Sequence, residues 1–542
     1  MMNMKRHHRI LAALLCALMV LGAGACGKSS DDSSSASSSE ASGTQSSSPD
    51  SADSELAFPL TGEGETLTYY AGFYGNNLMT GYAESELYKE LEARTNVHIE
   101  FESPSGDVQQ AFQLRITSDS LPDIMENVIG YYTGGLQGLI NDEYAIRLND
   151  LIPQYAPDYQ RLLDEHEDFR KDVTLDNGDI GAFYMCTYDY ATESKLANPW
   201  AGLKVRSDWL TECNLEIPTT LEELTNVLRT FKEKKGASTP MSGFPVYEQY
   251  YDFIVGAWNI SHSFFQRDGK VDYGPITEEF KEYILQMKSW YDEGLLDKEY
   301  LTRDDAGIDV LIGQDQVGVF LGTEIPEIEA VQQAIPFPAL EKGVPRALGM
   351  VQSAAGGGAY ATFITTSCKN PELATKWLNY AYSQEGALLF NYGIEGTTYT
   401  LDSNGDPQYT DFVTVEGLED GKWWAYCNGY YSRINAPMLK YFDAIPSYHI
   451  ESNPARENDE MWATGLSYET QLPNLTLPME DSQRISTIMA DIDTYVEEQN
   501  HRFIMGLNSM DDYDAFVAQI KSYGIDEAIE LYQKALDAYN AR

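Results

Sequence analysis

Between Leu67 and Met125 the chain alternates strand and helix patterns, and this alternation narrows the fold more than any other feature. Leu67-Thr68-Tyr69-Tyr70 has the aromatic and β-branched content of a strand. From Ser85 to Arg94, Leu87, Tyr88 and Leu91 share one helical face. Val97, Ile99 and Phe101 then alternate with polar residues, the period of a strand. Val108, Phe112 and Ile116 mark a second helix over Val108 to Thr117, broken at Leu121-Pro122-Asp123, and Ile124-Met125 opens a third strand. The order β-α-β-α-β predicts an α/β fold with a largely parallel, doubly wound sheet.

Further along the pattern turns helical. Thr220 and Glu223 have the spacing of a capping box, with Leu221, Leu224, Val227, Leu228 and Phe231 on the face behind it. Thr277 to Glu293 repeats the pattern through Phe280, Ile284, Met287 and Tyr291. Trp290 and Trp377 fall on helical faces and are expected in cores. The glycine run Gly356-Gly357-Gly358 precedes a predicted strand, Tyr360 to Thr365, and a helix from Pro371 to Tyr382. The tail from Ser482 to Arg542 is predicted helical, broken at Gly506 and Gly524.

The first residues read as an export signal. Lys5, Arg6 and Arg9 form a basic start, Ile10 to Leu21 an apolar run too short for a typical span, and Gly22 to Ala25 a small-residue stretch before Cys26. A cysteine in that position resembles the bacterial lipobox, although Ala23 stands where leucine is usual. Residues 1–25 are therefore expected to be a lipoprotein signal, with Cys26 lipidated and residues 26–57 a tether. Ser29 to Ser54 is almost wholly Ser, Asp, Ala, Glu and Gly, too polar to bury a core.

The formal net charge of -47 argues against nucleic acid, whose phosphates need Lys and Arg. Four cysteines remain in the body: Cys186, Cys213, Cys368 and Cys427. Three full pairings are open on sequence alone; they are read as buried free thiols. The five histidines outside the signal show no metal spacing, and there is no G-x-S-x-G elbow or Walker loop. No catalytic residue, metal ligand or cofactor is assigned. Carboxylates are abundant, so a glycosidase pair stays open.

Several blocks taken in order resemble the carbohydrate-uptake class of extracellular solute-binding proteins, the long oligosaccharide-binding lipoproteins of Gram-positive bacteria. They include Ser120-Leu121-Pro122-Asp123-Ile124, Arg147-Leu148-Asn149-Asp150-Leu151-Ile152, and Leu203 to Leu210 followed by Ile217-Pro218-Thr219-Thr220-Leu221. Tyr291-Asp292-Glu293-Gly294-Leu295 and Gly393-Ile394-Glu395-Gly396 continue the set, and Phe503-Ile504-Met505-Gly506 closes it in the tail. The resemblance implies a type II periplasmic-binding-protein-like fold: two lobes, each a doubly wound sheet with helices, and a ligand cleft between them. By that pattern residues 58–197 plus 356–396 form the first lobe and residues 198–355 plus 397–542 the second. It implies a monomer that captures an oligosaccharide and delivers it to ABC permease subunits, held on the outer face of the cell membrane by a lipid at Cys26. Many relatives carry a calcium loop after the helix that here begins at Leu221; this chain has Lys234-Lys235-Gly236-Ala237-Ser238-Thr239-Pro240, and calcium is not carried over.

A sugar site needs aromatic plates for C–H faces and amides, carboxylates or Arg for hydroxyls. Trp258, Trp423 and Trp424 sit among polar and turn residues and are candidate plates. Arg206 and Asp208 lie near the expected lobe crossing, where a salt bridge is their other reading. Asn76, Asn127 and Glu395 follow strands or occupy Gly-rich turns that often face a cleft. A secreted glycoside-active enzyme and a receptor for peptides or other non-sugar solutes are the competing functions.

Overall fold

The computed structural model describes residues 56–542 apart from 74–78, 105, 190–193, 196–200, 244–251, 323–331, 348–354, 356–360, 418–425, 432–435 and 451–452. Two principal sheets organise it. In chain order their strands are β1 (Glu65–Tyr70), β2 (Val97–Glu102), β3 (Ile124–Glu126), β4 (Phe183–Tyr184), β5 (Gly202–Arg206), β6 (Met241–Ser242), β7 (Val319–Gly322), β8 (Gln332–Ala334) and β9 (Ala361–Ile364). The helices that matter below are α1 (Glu86–Thr95), α2 (Val108–Thr117), α3 (Gly135–Asn141), α4 (Glu167–Val173), α5 (Leu221–Thr230), α6 (Glu278–Asp292), α7 (Pro371–Asn379), α8 (Met479–Ile504), α9 (Tyr513–Tyr523) and α10 (Ile525–Asn540).

The first sheet has the order β2-β1-β3-β9-β4. Strands β1, β2 and β3 run parallel, as the alternation predicted, with Tyr69 beside Ile124 and Glu65 beside Val97. Helix α1 buries Leu87, Tyr88 and Leu91 and ends on Asn96 in the left-handed conformation. Helix α2 starts where the Asp107 side chain accepts from Gln110 N (2.9 Å). Strand β9 runs against β3 and β4, because the chain returns to this sheet from the other body.

The second sheet, ordered β8-β5-β7-β6, is also mixed: β5 runs against β7 and β8, while β6 and β7 are parallel. Helix α5 begins at Thr220, whose hydroxyl accepts from Glu223 N (3.2 Å). The return bond lands one residue early, with Glu223 accepting from Thr219 N (2.8 Å). Helix α6 buries Phe280, Ile284, Met287 and Trp290, and the Trp290 indole donates to Thr225 Oγ1 (2.9 Å). Each such apolar side chain contributes about 1.5–3 kcal/mol by burial. Trp377 is buried on α7, in the first core. Gly506 and Gly524 end α8 and α9 at positive φ (71° and 103°), where only glycine is unstrained.

There are two large apolar cores. The first gathers residues from Leu67 to Cys186, from Ala355 to Phe390, and Ala436, Met438 and Leu439. The second gathers residues from Ala201 to Phe337 and from Trp462 to Ala528. The chain thus crosses between bodies between Cys186 and Ala201, between Phe337 and Ala355, and between Leu439 and Trp462.

This corrects the expected boundary at residue 396. Cys186 N donates to Met438 O and Lys440 N to Cys186 O (both 2.8 Å). Tyr409 Oη donates to Asn391 O (3.0 Å), and Ser85 Oγ to Asn428 O (3.1 Å). These long-range bonds fasten the described residues between Tyr399 and Ala444 to the first body rather than the second. Cys186, Cys213, Cys368 and Cys427 are buried and unbridged, and burial pushes the Cys368 thiol up to about 12.

Candidate functional site at the strand ends

In an open α/β sheet the ligand crevice lies outside the carboxyl ends of the parallel strands. In the first body those ends are Tyr70, Glu102 and Glu126. They lie on the same edge as Tyr184, the end of β4, and Ala361, the start of β9. In the second body Ser242 and Gly322 end β6 and β7 beside Gly202, where β5 starts. Both crossings that flank β5 and β9 therefore enter at these edges.

The first-body edge is polar and aromatic. Glu126 is only 2% exposed; its carboxylate accepts from Tyr69 Oη (2.6 Å) and from Asn127 Nδ2 (3.3 Å). Asn127 has φ 57°, a left-handed conformation that asparagine tolerates, and its N–H donates to Ala361 O (2.9 Å). Beside them Glu102 pairs with Arg115, whose guanidinium lies 5.7 Å from the Tyr70 ring centre. The Tyr70 side chain is 2% exposed, and its hydroxyl has no hydrogen-bond partner among the described residues. Burial pushes that hydroxyl above its ordinary pKa, with Arg115 acting the other way. Tyr131, four residues beyond Asn127, is 39% exposed. The edge can accept and donate hydrogen bonds and can offer a ring face.

The second-body edge is narrow and glycine-lined. A Cβ on Gly243 would fall 2.7 Å from Leu321 N, and φ there is 103°. A Cβ on Gly202 would fall 2.6 Å from the Trp462 indole nitrogen, which donates to Leu203 O (2.9 Å).

The sequence candidates are spread over the molecule. Asn127 stands on the first edge. Arg206 and Asp208 meet each other at the opposite end of the second sheet, where β5 ends and β7 begins. Arg206 donates to both Asp208 oxygens (2.8 and 2.6 Å) and to Asp315 Oδ1 (2.5 Å), and stacks 4.7 Å from the Trp209 ring centre. Burial raises the Asp208 pKa, but the guanidinium outweighs it and holds the carboxyl below its ordinary value. Trp258 is 8% exposed in the second core, its indole donating to Glu282 Oε2 (3.0 Å). Glu395 is exposed on a turn closed by Gly396 N to Tyr399 O (2.8 Å). Asn76, Trp423 and Trp424 lie outside the described residues, as does Cys26.

The sequence reading passed over Glu126, Tyr69, Tyr70 and Tyr131. A signal for Glu126 was present: a carboxylate closing the otherwise apolar strand Ile124-Met125. Next to the undescribed 418–425 segment, Phe412, Tyr426 and Tyr430 form an aromatic cluster with centroids 4.9, 4.9 and 5.7 Å apart. A separate hollow of about 300 Å³ on the outer helices of the first body is lined by Asn149 and Gln160 among others. Both amides are already bonded, to Gly178 O and Asp164 Oδ1 (2.9 Å each).

The turn after α5 is tied by cations. Arg229 donates twice to Glu293 (2.7 and 2.8 Å), and Lys235 pairs with Glu212. Among the described residues no three His, Cys, Asp or Glu side chains converge to hold a metal. With Lys234-Lys235-Gly236-Ala237-Ser238-Thr239-Pro240 offering no carboxylate at the turn after α5, thermal unfolding in calcium and in EDTA is expected to coincide within about 1 °C, since a ligand that does not bind the native state cannot stabilise it. A large EDTA-induced drop would reveal a cation site.

The family model described as bacterial extracellular solute-binding protein matches residues 76–388. The fructooligosaccharide ABC transporter substrate-binding protein FusA of Streptococcus pneumoniae is 25% identical, over 91% of this chain and 94% of that one. The polygalacturonan/rhamnogalacturonan-binding protein YtcQ of Bacillus subtilis is 22% identical over 57% of this chain and 63% of that protein. Among solved structures, S. pneumoniae FusA in complex with kestose superposes with a TM-score of 0.66 at 21% identity, covering 88% of this chain and 99% of that one. An HMO-binding, ABC-transporter-associated solute-binding protein of Bifidobacterium longum infantis gives 0.70 at 18%, covering 88% and 99%. With two α/β bodies, three crossings and a family match spanning more than half of its length, this chain belongs to the bacterial extracellular solute-binding protein family.

Proposed function

We propose that this protein captures a neutral oligosaccharide outside the cell and presents it to the permease of an ABC importer, without chemically altering it. The observation that carries this reading is the first-body strand edge. It joins a buried carboxylate, a buried phenol with no hydrogen-bond partner among the described residues and an exposed tyrosine ring, the groups needed for hydroxyl rims and C–H faces. End-to-end similarity to FusA supports the sugar class, and kestose is the natural first probe. Asn76, Trp423 and Trp424 remain proposed ligand contacts by residue type. Arg206 is not proposed as one, because its guanidinium is engaged by two carboxylates at the far end of its sheet.

The test is a thermal-shift and calorimetry screen of kestose, longer fructo-oligosaccharides, galacturonides and peptides. A binder of the native state raises the melting temperature. Saturable binding of a neutral oligosaccharide, recovered intact by chromatography, is the expected result. Binding of peptides alone, or steady cleavage of the sugar, would overturn the reading.

The lipid anchor at Cys26 belongs to the same proposal and rests on the residues before it. Cys26→Ser should move the protein from the membrane fraction to the medium, or block its processing. Equal membrane retention of both forms would refute attachment at that cysteine.

A further inference from the structure

We propose that the last turn of α10 is a strut that locks the second body to the first beside the hinge and limits how far the two bodies can move apart. Most of α10 belongs to the second body. Ile525 and Ala528 lie in its core, Gln533 bonds the backbone of Gly269 (3.0 Å) and Val271 (2.9 Å), and Lys534 pairs with Asp481 (2.8 Å). The far end of the same helix is built into the first body. Tyr539 Oη donates to Asp172 Oδ1 (2.8 Å), and both residues are buried, at 7% and 5% exposure. Arg542 donates to Lys171 O (2.7 Å) and Thr174 O, pairs with Asp176, and lies 5.3 Å from the Tyr539 ring centre.

A helix of this length is a rod of roughly 24 Å, so its two ends cannot move independently. Two further contacts join the same faces. Asn474 Nδ2 donates to Asp172 O (3.3 Å), and the Met479 side chain at the start of α8 packs on Gly134 at the start of α3. The clamp sits at the root of a crossing. Tyr184, the last residue of β4, lies in the field of Arg542 and Asp172, and two residues later Cys186 bridges to the returning segment through Met438 and Lys440. Relative motion of the bodies that strains the crossing must first work against this strut.

The test is hydrogen–deuterium exchange on the full chain without ligand, comparing wild type with Arg542→Ala, Tyr539→Phe and Asp172→Asn. Amide exchange reports local opening free energy. The Cys186 and Lys440 amides, whose bonds join the two segments of the first body from which crossings depart, should exchange at least about fivefold faster in the variants, equivalent to about 1 kcal/mol of easier opening. Tyr539→Phe removes a single oxygen and keeps the packing, so it reads the strut even where Arg542→Ala fails to fold. Faster exchange confined to residues 169–176 and 536–542 would overturn the proposal, because it would mean that the contact only tidies a helix end.

Discussion

Trp462→Ala should destabilise the protein by about 3–5 kcal/mol, the range for emptying a buried tryptophan site. Trp462 is the first residue of the second core after the third crossing, and it is 1% exposed. Its indole donates to Leu203 O (2.9 Å), its ring fills the space that Gly202 leaves open, and the Lys204 ammonium lies 5.5 Å from the ring centre. One side chain therefore ties the returning chain to β5 at the edge that faces the first body. Trp462→Phe keeps most of the apolar volume and loses the indole donor, so it should cost about 1 kcal/mol for the hydrogen bond plus a smaller packing term. Chemical denaturation followed by far-UV circular dichroism measures both. A cost below about 1 kcal/mol for the alanine variant would mean that the edge closes over the cavity, contrary to dense core packing.

Tyr70→Phe and Tyr131→Ala should each weaken binding of kestose, or of the sugar the screen identifies, by about tenfold, or 1.4 kcal/mol. The two act differently on the ligand-free protein. A buried hydroxyl without a partner costs about 1–3 kcal/mol, so its removal should leave stability unchanged or raise it by up to about 1 kcal/mol. A rise in unliganded stability with a fall in affinity is the signature of a donor held ready for a ligand. Tyr131 is exposed, so its loss should weaken binding while stability hardly changes. Calorimetry gives affinity and denaturation gives stability. Unchanged affinity in both variants would move the site away from the first-body edge, toward the aromatic cluster of Phe412, Tyr426 and Tyr430.

The position of the second-body crossing edge also explains why Arg206 and Asp208 read ambiguously. Two residues apart, at a strand end, they were placed near a lobe crossing by order along the chain. Strand β5 begins at the crossing and ends away from it, so the pair lies one strand length from the edge. Asp315, the third member of the network, is 109 positions distant and could not be seen from the local pattern.

Short-range order was legible in the sequence. Apolar residues at helical and strand periods located β1 to β3, α1, α2, α5 and α6, and the Thr220 and Glu223 spacing located a cap, because these features depend on neighbours within a few residues. Trp290 and Trp377 were recognisable as core for the same reason. The ordered blocks of resemblance carried the two-body fold. What the tertiary structure decided was everything set by distant pairing. It put the described residues between Tyr399 and Ala444 on the first body, buried Trp258 against Glu282, and brought Glu126 under Tyr69. It also joined Tyr539 to Asp172 across 367 positions. Such contacts depend on which faces two bodies present to each other. A buried carboxylate or phenol is stabilised or left waiting by its partners in space, and periodicity along the chain carries no record of them.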